Sequence, residues 1–236
     1  MASEIKQGTL ELVNHLPILQ VITPMLIAPI LVVLNNKTLS WLLSFLGTLA
    51  CLFISILLIQ AVSDGSILTY YLGGWVPPIG IEYRIDAANA ILLFLISIIS
   101  AIVLIFSYSS LHAEIPEEKH TLFYSCFLLC LTGLLGVVAT ADIFNVFVFL
   151  EISSLSTYVL VAQGAYLDRR ALSASFNYLI MGTIGATFFV IGIGYIYMAT
   201  GSLNMMDIAE RVSQLGDNRT IQAGFAFIVV GMGLKL

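Results

Sequence analysis

Apolar residues dominate this chain in long runs, and short polar segments separate one run from the next. A helix needs about 20 apolar residues to cross a hydrocarbon core about 30 Å thick. Measured against that length, the pattern predicts a single membrane domain over residues 1–236, an all-α bundle of seven membrane helices. The predicted spans cover residues 16–34, 39–62, 86–108, 121–140, 141–164, 171–200 and 220–236.

Two connecting segments have patterns of their own. Residues 66–85 contain two β-prone arms around glycine and proline pairs, which predicts a small hairpin at the membrane surface. Asn204 is a suitable N-cap, and apolar residues recur at helical spacing over residues 205–215. That second pattern predicts a short amphipathic helix lying along the interface.

Composition supports a membrane protein and excludes several other classes. The chain is 59% hydrophobic and 10% charged, whereas soluble domains carry about 25% charged residues. No basic run indicates nucleic-acid binding. The three cysteines lie in apolar runs, so a disulfide framework is not expected. The segment between the third and fourth spans is expected to be a polar loop, with His112 and His120 at its surface.

Glu151 is the most informative residue, because it lies in the middle of an apolar run. A carboxylate there costs roughly 2.5–3.5 kcal/mol on insertion scales, so membrane helices seldom carry one without a use. Ser154 and Tyr158 share its helical face and can hydrogen-bond a carboxylate or hold a water. Two interpretations stay open: a proton- or cation-translocating acid, or a protonated side chain that joins two helices by a hydrogen bond.

Lys235 is the other ionisable side chain placed deep in an apolar span. It follows Gly231 and Gly233, and broken membrane helices commonly line ion sites. A buried lysine can carry a proton. The alternative is a lysine that reaches toward the lipid headgroups.

Three further polar residues are candidates for supporting roles. Asp142 lies where a carboxylate would cap the fifth span, and capping is favoured over transport. Asn145 and Asn177 lie inside spans, where bridging between helices is favoured over wetting a channel. No nucleotide loop, metal-ligand spacing or nucleophile elbow accompanies them. We therefore expect no catalytic residue, no metal and no cofactor in this chain, and any catalysis would belong to partner subunits.

The sequence around Glu151 resembles a known family. Residues 139–162, ATADIFNVFVFLEISSLSTYVLVA, resemble the fifth transmembrane helix of the antiporter-like subunits. Such subunits occur in respiratory complex I, in Mrp cation/proton antiporters and in related membrane-bound hydrogenases and sulfur-reducing complexes. The resemblance identifies Glu151 with the family's proton-channel glutamate. GMGLK, residues 231–235, resembles the start of the family's broken seventh helix and implies that Lys235 is its partner lysine.

Two longer stretches extend the resemblance over nearly the whole chain. Residues 70–93, YYLGGWVPPIGIEYRIDAANAILL, are most similar to the Mrp D-type subunit, and residues 173–205, SASFNYLIMGTIGATFFVIGIGYIYMATGSLNM, also match the family. Asn177 departs from the pattern, because related subunits often have lysine there. Members are also roughly twice this length, so the chain is expected to be an N-terminal half.

The resemblance implies a proton- or cation-translocating subunit, half of an Mrp D-like antiporter subunit, in the cell membrane of a prokaryote. It implies a companion chain that supplies the C-terminal half, and other Mrp-like membrane subunits. Redox subunits with iron–sulfur clusters are further candidate partners. The alternative is a scaffold or lateral bridging subunit that carries no ions. The sequence does not decide between H⁺ and Na⁺.

Overall fold

The computed structural model describes residues 2–216 and 218–235, and side chains from residue 13 onward. Eight α-helices and two short strands make up this part of the chain. In chain order they are α1 (Ala2–Leu34), α2 (Lys37–Val62), β1 (Leu68–Tyr71), β2 (Glu82–Ile85), α3 (Ala87–Glu114), α4 (His120–Ala139), α5 (Ile143–Gln163), α6 (Arg170–Thr200), α7 (Met205–Leu215) and α8 (Arg219–Lys235).

Six of these helices, α1 to α6, are long and apolar enough to cross a membrane. They correspond to the first six predicted spans. The seventh predicted span corresponds to α8, which has 17 described residues, while Leu236 lies outside the described part. The all-α membrane fold is thus confirmed, and the seventh crossing stays a prediction.

The segment after the third span was assigned wrongly. The α3 helix continues to Glu114, well past residue 108, so most of the expected polar loop is helical. Polar side chains alone do not end a helix. Pro116 does so here, because a residue before proline avoids the helical region, and Ile115 is extended. His120 is also not at the surface, since it is 1% exposed and its Nε2 lies 2.9 Å from the Ile115 carbonyl oxygen.

The predicted hairpin is present, and its place at the membrane surface stays a prediction. Strands β1 and β2 pair antiparallel, with Leu68 opposite Ile85 and Tyr71 opposite Glu82. A short 3₁₀ turn follows β1, and Gly73 in it has a φ of 64°. Glycine adopts that left-handed conformation without steric cost.

Helices α1 to α4 form the larger of two packed regions. Its core consists of fully buried aliphatic side chains from all four helices, among them Leu31, Leu58, Leu93 and Leu128, each 0% exposed. The hairpin closes one end of this region through Tyr83 and Ile85.

Helices α6 and α8 pack closely through glycines in the second region. A Cβ on Gly231 would lie 2.7 Å from the Gly185 carbonyl oxygen, and one on Gly224 would lie 3.1 Å from the Gly192 carbonyl oxygen. Such spacing brings two helix backbones together. The expected glycine-rich break is absent from the described residues, because α8 is helical through Gly231 and Gly233.

Helix α7 lies between α6 and α8 in the chain and matches the predicted amphipathic helix at both ends. The Asn204 side chain caps it by accepting from the backbone N–H groups of Met206 and Asp207. Ile208 is buried, whereas Leu215 is exposed. Arg211 joins α7 to the end of α6 by donating to the Thr200 carbonyl oxygen at 2.7 Å, and it also donates to Asp207 of its own helix at 2.9 Å.

Candidate functional site

Glu151 of α5 and Lys235 of α8 form an ion pair. The Lys235 ammonium donates to the Glu151 carboxylate across 84 positions of sequence. The Glu151 side chain is 21% exposed and the Lys235 side chain is 12% exposed. Opposite charges held this close and partly removed from solvent interact more strongly than they would in water.

The fold brings the pair together through close packing of α8 against α6 and of α5 against α4. Gly185 of α6 faces Lys235, since a Cβ there would lie 3.2 Å from Lys235 Cγ. On α4, Gly133 and Gly136 leave room for the backbone and ring of Phe149, which packs α5 against α4. A larger side chain at these glycines would push α5 and α8 to different positions.

A groove lies beside Glu151 between α5 and α6. It has a volume of about 230 Å³, and its lining includes Phe147, Thr183 and Thr187. The two threonine hydroxyl groups donate to carbonyl oxygens of their own helix, at 2.8 to 3.0 Å, so their lone pairs remain able to accept. The groove therefore has both the size and the polar groups to hold water next to the carboxylate.

Ser154 and Tyr158 lie on the Glu151 face of α5. The Tyr158 hydroxyl interacts with Ser154 and lies within electrostatic reach of Glu151. Tyr158 is 5% exposed, and its ring meets that of Tyr178 edge-on at 4.7 Å. Gly182 makes this position possible, because a Cβ there would lie 1.7 Å from the Tyr158 oxygen.

Asp142 and Asn145 lie apart from the pair, at the start of α5. Asp142 caps the helix by accepting from the Asn145 backbone N–H at 2.7 Å, and the Asn145 side chain donates to Thr140 at 3.0 Å. Burial raises the pKa of Asp142, although hydrogen bonds from the Asn145 and Phe144 N–H groups act in the opposite direction. These contacts hold the beginning of α5.

Asn177 does not join the site. It is exposed on α6 and makes no side-chain hydrogen bond within the described residues. The expected bridging role is therefore not seen for Asn177 in this part of the chain.

Sequence reasoning missed a polar junction where three connecting segments meet. We call it the linker junction: Glu82 and Tyr83 of β2, residues 140–142 between α4 and α5, and residues 202–204 between α6 and α7. Glu82 is 6% exposed and accepts from the Asn204 side chain at 2.8 Å. Burial raises the pKa of Tyr83 to about 12, although the Asn145 side chain hydrogen-bonds to it. A glutamate in a short hairpin is expected to be exposed, so the sequence did not indicate that Glu82 is buried. The N-cap position of Asn204 was the one sequence feature that pointed to a residue of this junction.

A family model covers the second part of the chain. The model described as "NADH:quinone oxidoreductase/Mrp antiporter, TM" matches residues 140–236. That stretch contains both Glu151 and Lys235.

Individual relatives match nearly the whole chain. NADH-quinone oxidoreductase subunit N of Desulforudis audaxviator is 39% identical over 225 residues, which are 94% of this chain and 44% of that protein. The D-type subunit of the Na(+)/H(+) antiporter of Alkalihalophilus pseudofirmus is 29% identical over 223 residues, again 94% of this chain and 44% of that protein. This chain therefore spans less than half the length of these relatives.

A solved structure also matches nearly the whole of this chain and less than half of its own. The membrane-bound sulfane sulfur reductase, an archaeal respiratory membrane complex, contains a chain that superposes with a TM-score of 0.82 at 32% identity. The match covers 94% of this chain and 44% of that chain. The alignments and the apolar helices together establish a multi-pass membrane protein that matches the N-terminal half of its relatives.

Proposed function

Because the chain belongs to the family of antiporter-like subunits, we propose that it translocates protons or cations within a larger membrane complex and that Glu151 and Lys235 carry this activity. The ion pair between these residues is the observation that carries the proposal. It joins an acid and a base on two different helices, so a relative movement of α5 and α8 would change the interaction of both groups.

The proposed mechanism is electrostatic coupling. While the pair is closed, the Glu151 carboxylate stabilises the charged Lys235 ammonium, which keeps its proton. When the pair opens, that stabilisation is lost and the lysine releases the proton more readily to the next acceptor. The groove beside Glu151, with its threonine hydroxyl groups, would supply the carboxylate with protons through water.

The second half of the transporter would pack against the face that α5 leaves open. Of the apolar stretch of α5, 22% is buried, against 56% for α4. A polar site on a helix with so little buried surface needs a protein neighbour, because lipid cannot satisfy its polar groups. We propose that this neighbour is the portion corresponding to the rest of the relatives' length, on a companion chain or a continuation of this one, with further membrane subunits of the same kind of complex around it.

The test is Glu151→Gln in the purified, assembled complex, reconstituted in vesicles. The amide keeps the size of the side chain but cannot hold the charge, so proton-coupled transport should fall by at least about tenfold. Glu118→Gln is the matched control, because Glu118 is exposed in the loop before α4, and it should transport like the unmodified complex. Assembly should be normal in both variants. Unchanged transport in Glu151→Gln would contradict the proposal and favour a scaffold that carries no ions.

A further inference from the structure

The Asn204 side chain bonds the hairpin and the start of α7 at the same time. Its side-chain oxygen accepts from the N–H groups of Met206 and Asp207, at 3.0 and 3.2 Å, and so caps α7. Its amide nitrogen donates to a Glu82 carboxylate oxygen at 2.8 Å. These partners fix the orientation of the amide, since the oxygen must face the N–H donors and the nitrogen the carboxylate.

The backbone around Asn204 pairs with the linker that starts α5. Asn204 and Asp142 form an antiparallel bridge. The Ile143 N–H donates to the Leu203 carbonyl oxygen at 2.9 Å, and the Met205 N–H donates to the Ala141 carbonyl oxygen at 2.8 Å. The first residue of α5 and the first residue of α7 are therefore bonded to each other's linkers.

Glu82 holds the same α5 linker from the other side. Its carbonyl oxygen accepts from the Ala141 N–H at 2.9 Å, while its side chain accepts from Asn204. Both side chains are nearly fully buried, at 6% for Glu82 and 3% for Asn204. A hydrogen bond to a charged group away from solvent is among the stronger ones in a protein, and losing its donor leaves the carboxylate unsatisfied.

This geometry links the junction to the ion pair. Helix α5, which carries Glu151, begins at the junction, and α7 leads from it into α8, which carries Lys235. We infer that Asn204 is a positioning residue: by bonding Glu82 while it caps α7, it sets the placement of α5 relative to α8 on which contact between Glu151 and Lys235 depends. The inference rests on the proposed function only for its consequence in transport.

A donor–acceptor swap tests this inference in the assembled complex. Asn204→Asp keeps the α7 cap, because aspartate caps helices as well as asparagine does. It removes the amide donor, however, and sets two carboxylates against each other in a buried place. Adding Glu82→Gln should restore the bond with its direction reversed, because the glutamine amide can donate to the new carboxylate. Glu82→Gln alone keeps an acceptor for Asn204.

The geometric readout does not depend on transport. In a chain with Cys51, Cys126 and Cys130 replaced by alanine, Glu151→Cys and Lys235→Cys are joined by a short bifunctional thiol reagent. Asn204→Asp should slow this cross-linking severalfold, and adding Glu82→Gln should return it to the original rate. An original rate in Asn204→Asp alone would show that Asn204 is merely a helix cap and would overturn the inference. The inference would also be overturned if adding Glu82→Gln to Asn204→Asp failed to restore the cross-linking rate.

Transport in chains that keep Glu151 and Lys235 provides the second readout. Asn204→Asp should lose up to about a hundredfold in rate, the loss that a misplacement of about 1 Å can cause, and the double variant should regain it. If cross-linking follows this pattern while Glu151→Gln transports normally, the positioning inference holds and the proposed function fails. If Glu151→Gln is inactive while the cross-linking rate is the same with and without Asn204→Asp, the proposed function holds and the inference fails.

Discussion

Helices α4 and α5 are consecutive in the chain and similar in length, yet they differ sharply in burial. More than half of the apolar stretch of α4 is buried, at 56%, whereas the figure for α5 is 22%. The buried hydroxyl group of Thr132 in α4 donates to the Leu128 carbonyl oxygen of its own helix at 2.8 Å. The polar groups of α5 include Glu151, whose charged partner Lys235 lies on another helix.

The contrast extends to the two regions that these helices belong to. Helices α1 to α4 have a large apolar cluster that includes side chains that are 0% exposed, such as Leu104 and Leu128. Around α6 and α8 the buried apolar cluster is smaller and includes Ile196 and Ile221. The first region thus stabilises the fold, and the second holds the charged pair of Glu151 and Lys235. Substitutions should separate these two roles.

The largest effect on stability is expected in the first region. Leu128→Ala removes a fully buried side chain from α4 and should lower the free energy of unfolding by about 2–5 kcal/mol, because the cavity forfeits packing contacts. Leu134→Ala on the same helix is the control, since Leu134 is 43% exposed, and it should change stability by no more than about 0.5 kcal/mol. Denaturation in detergent measures both.

Transport should respond differently to this pair of variants. Per assembled complex, Leu128→Ala should transport nearly as fast as the unmodified protein, because Leu128 lies in the core of the first region and not beside the ion pair. A loss of transport without a loss of stability would show that the two regions do not divide the roles as described.

A smaller effect, on transport more than on stability, is expected in the second region. Gly182→Ala places a methyl group where the Tyr158 hydroxyl lies, at 1.7 Å, so the ring must leave the position in which its hydroxyl interacts with Ser154. We expect transport to fall severalfold while the complex still assembles.

Gly194→Ala on the same helix is the matched control. A Cβ at Gly194 meets nothing within 4 Å, and alanine favours a helix over glycine by up to about 1 kcal/mol. Transport should be unchanged and stability equal or slightly higher. Equal transport rates in Gly182→Ala and Gly194→Ala would show that Tyr158 does not contribute to the site.

Local sequence signals predicted much of the fold. Asp142 caps α5, as its position predicted, by accepting from a backbone N–H three residues later at 2.7 Å. Asn204 and the apolar spacing after it gave the bounds of α7, and the hairpin followed from its β-prone arms. Such signals act within one or two helical turns, so they can be recognised without knowing the tertiary structure.

The linker junction and the course of α8 required the tertiary structure. Glu82 is buried by contacts with Asn204, which lies 122 positions away, and nothing in the neighbouring residues indicates this. Glycine at residue 231 suggested a break, whereas the structure uses it for close packing against Gly185. Helix propensity alone does not distinguish these two uses of glycine. The family resemblance pointed to Glu151 and Lys235 as partners, but spacing in the sequence could not place the two side chains in contact.

A double-mutant cycle on Glu151 and Lys235 tests the central claim most directly. Proton-coupled transport is measured in vesicles for the assembled complex with Glu151→Gln, with Lys235→Met and with both substitutions. If the acid and the base act as one unit, the double variant should be no slower than the slower single variant, because removing either charge already removes the coupling. Losses that multiply in the double variant, or a single variant that transports at the original rate, would contradict the account.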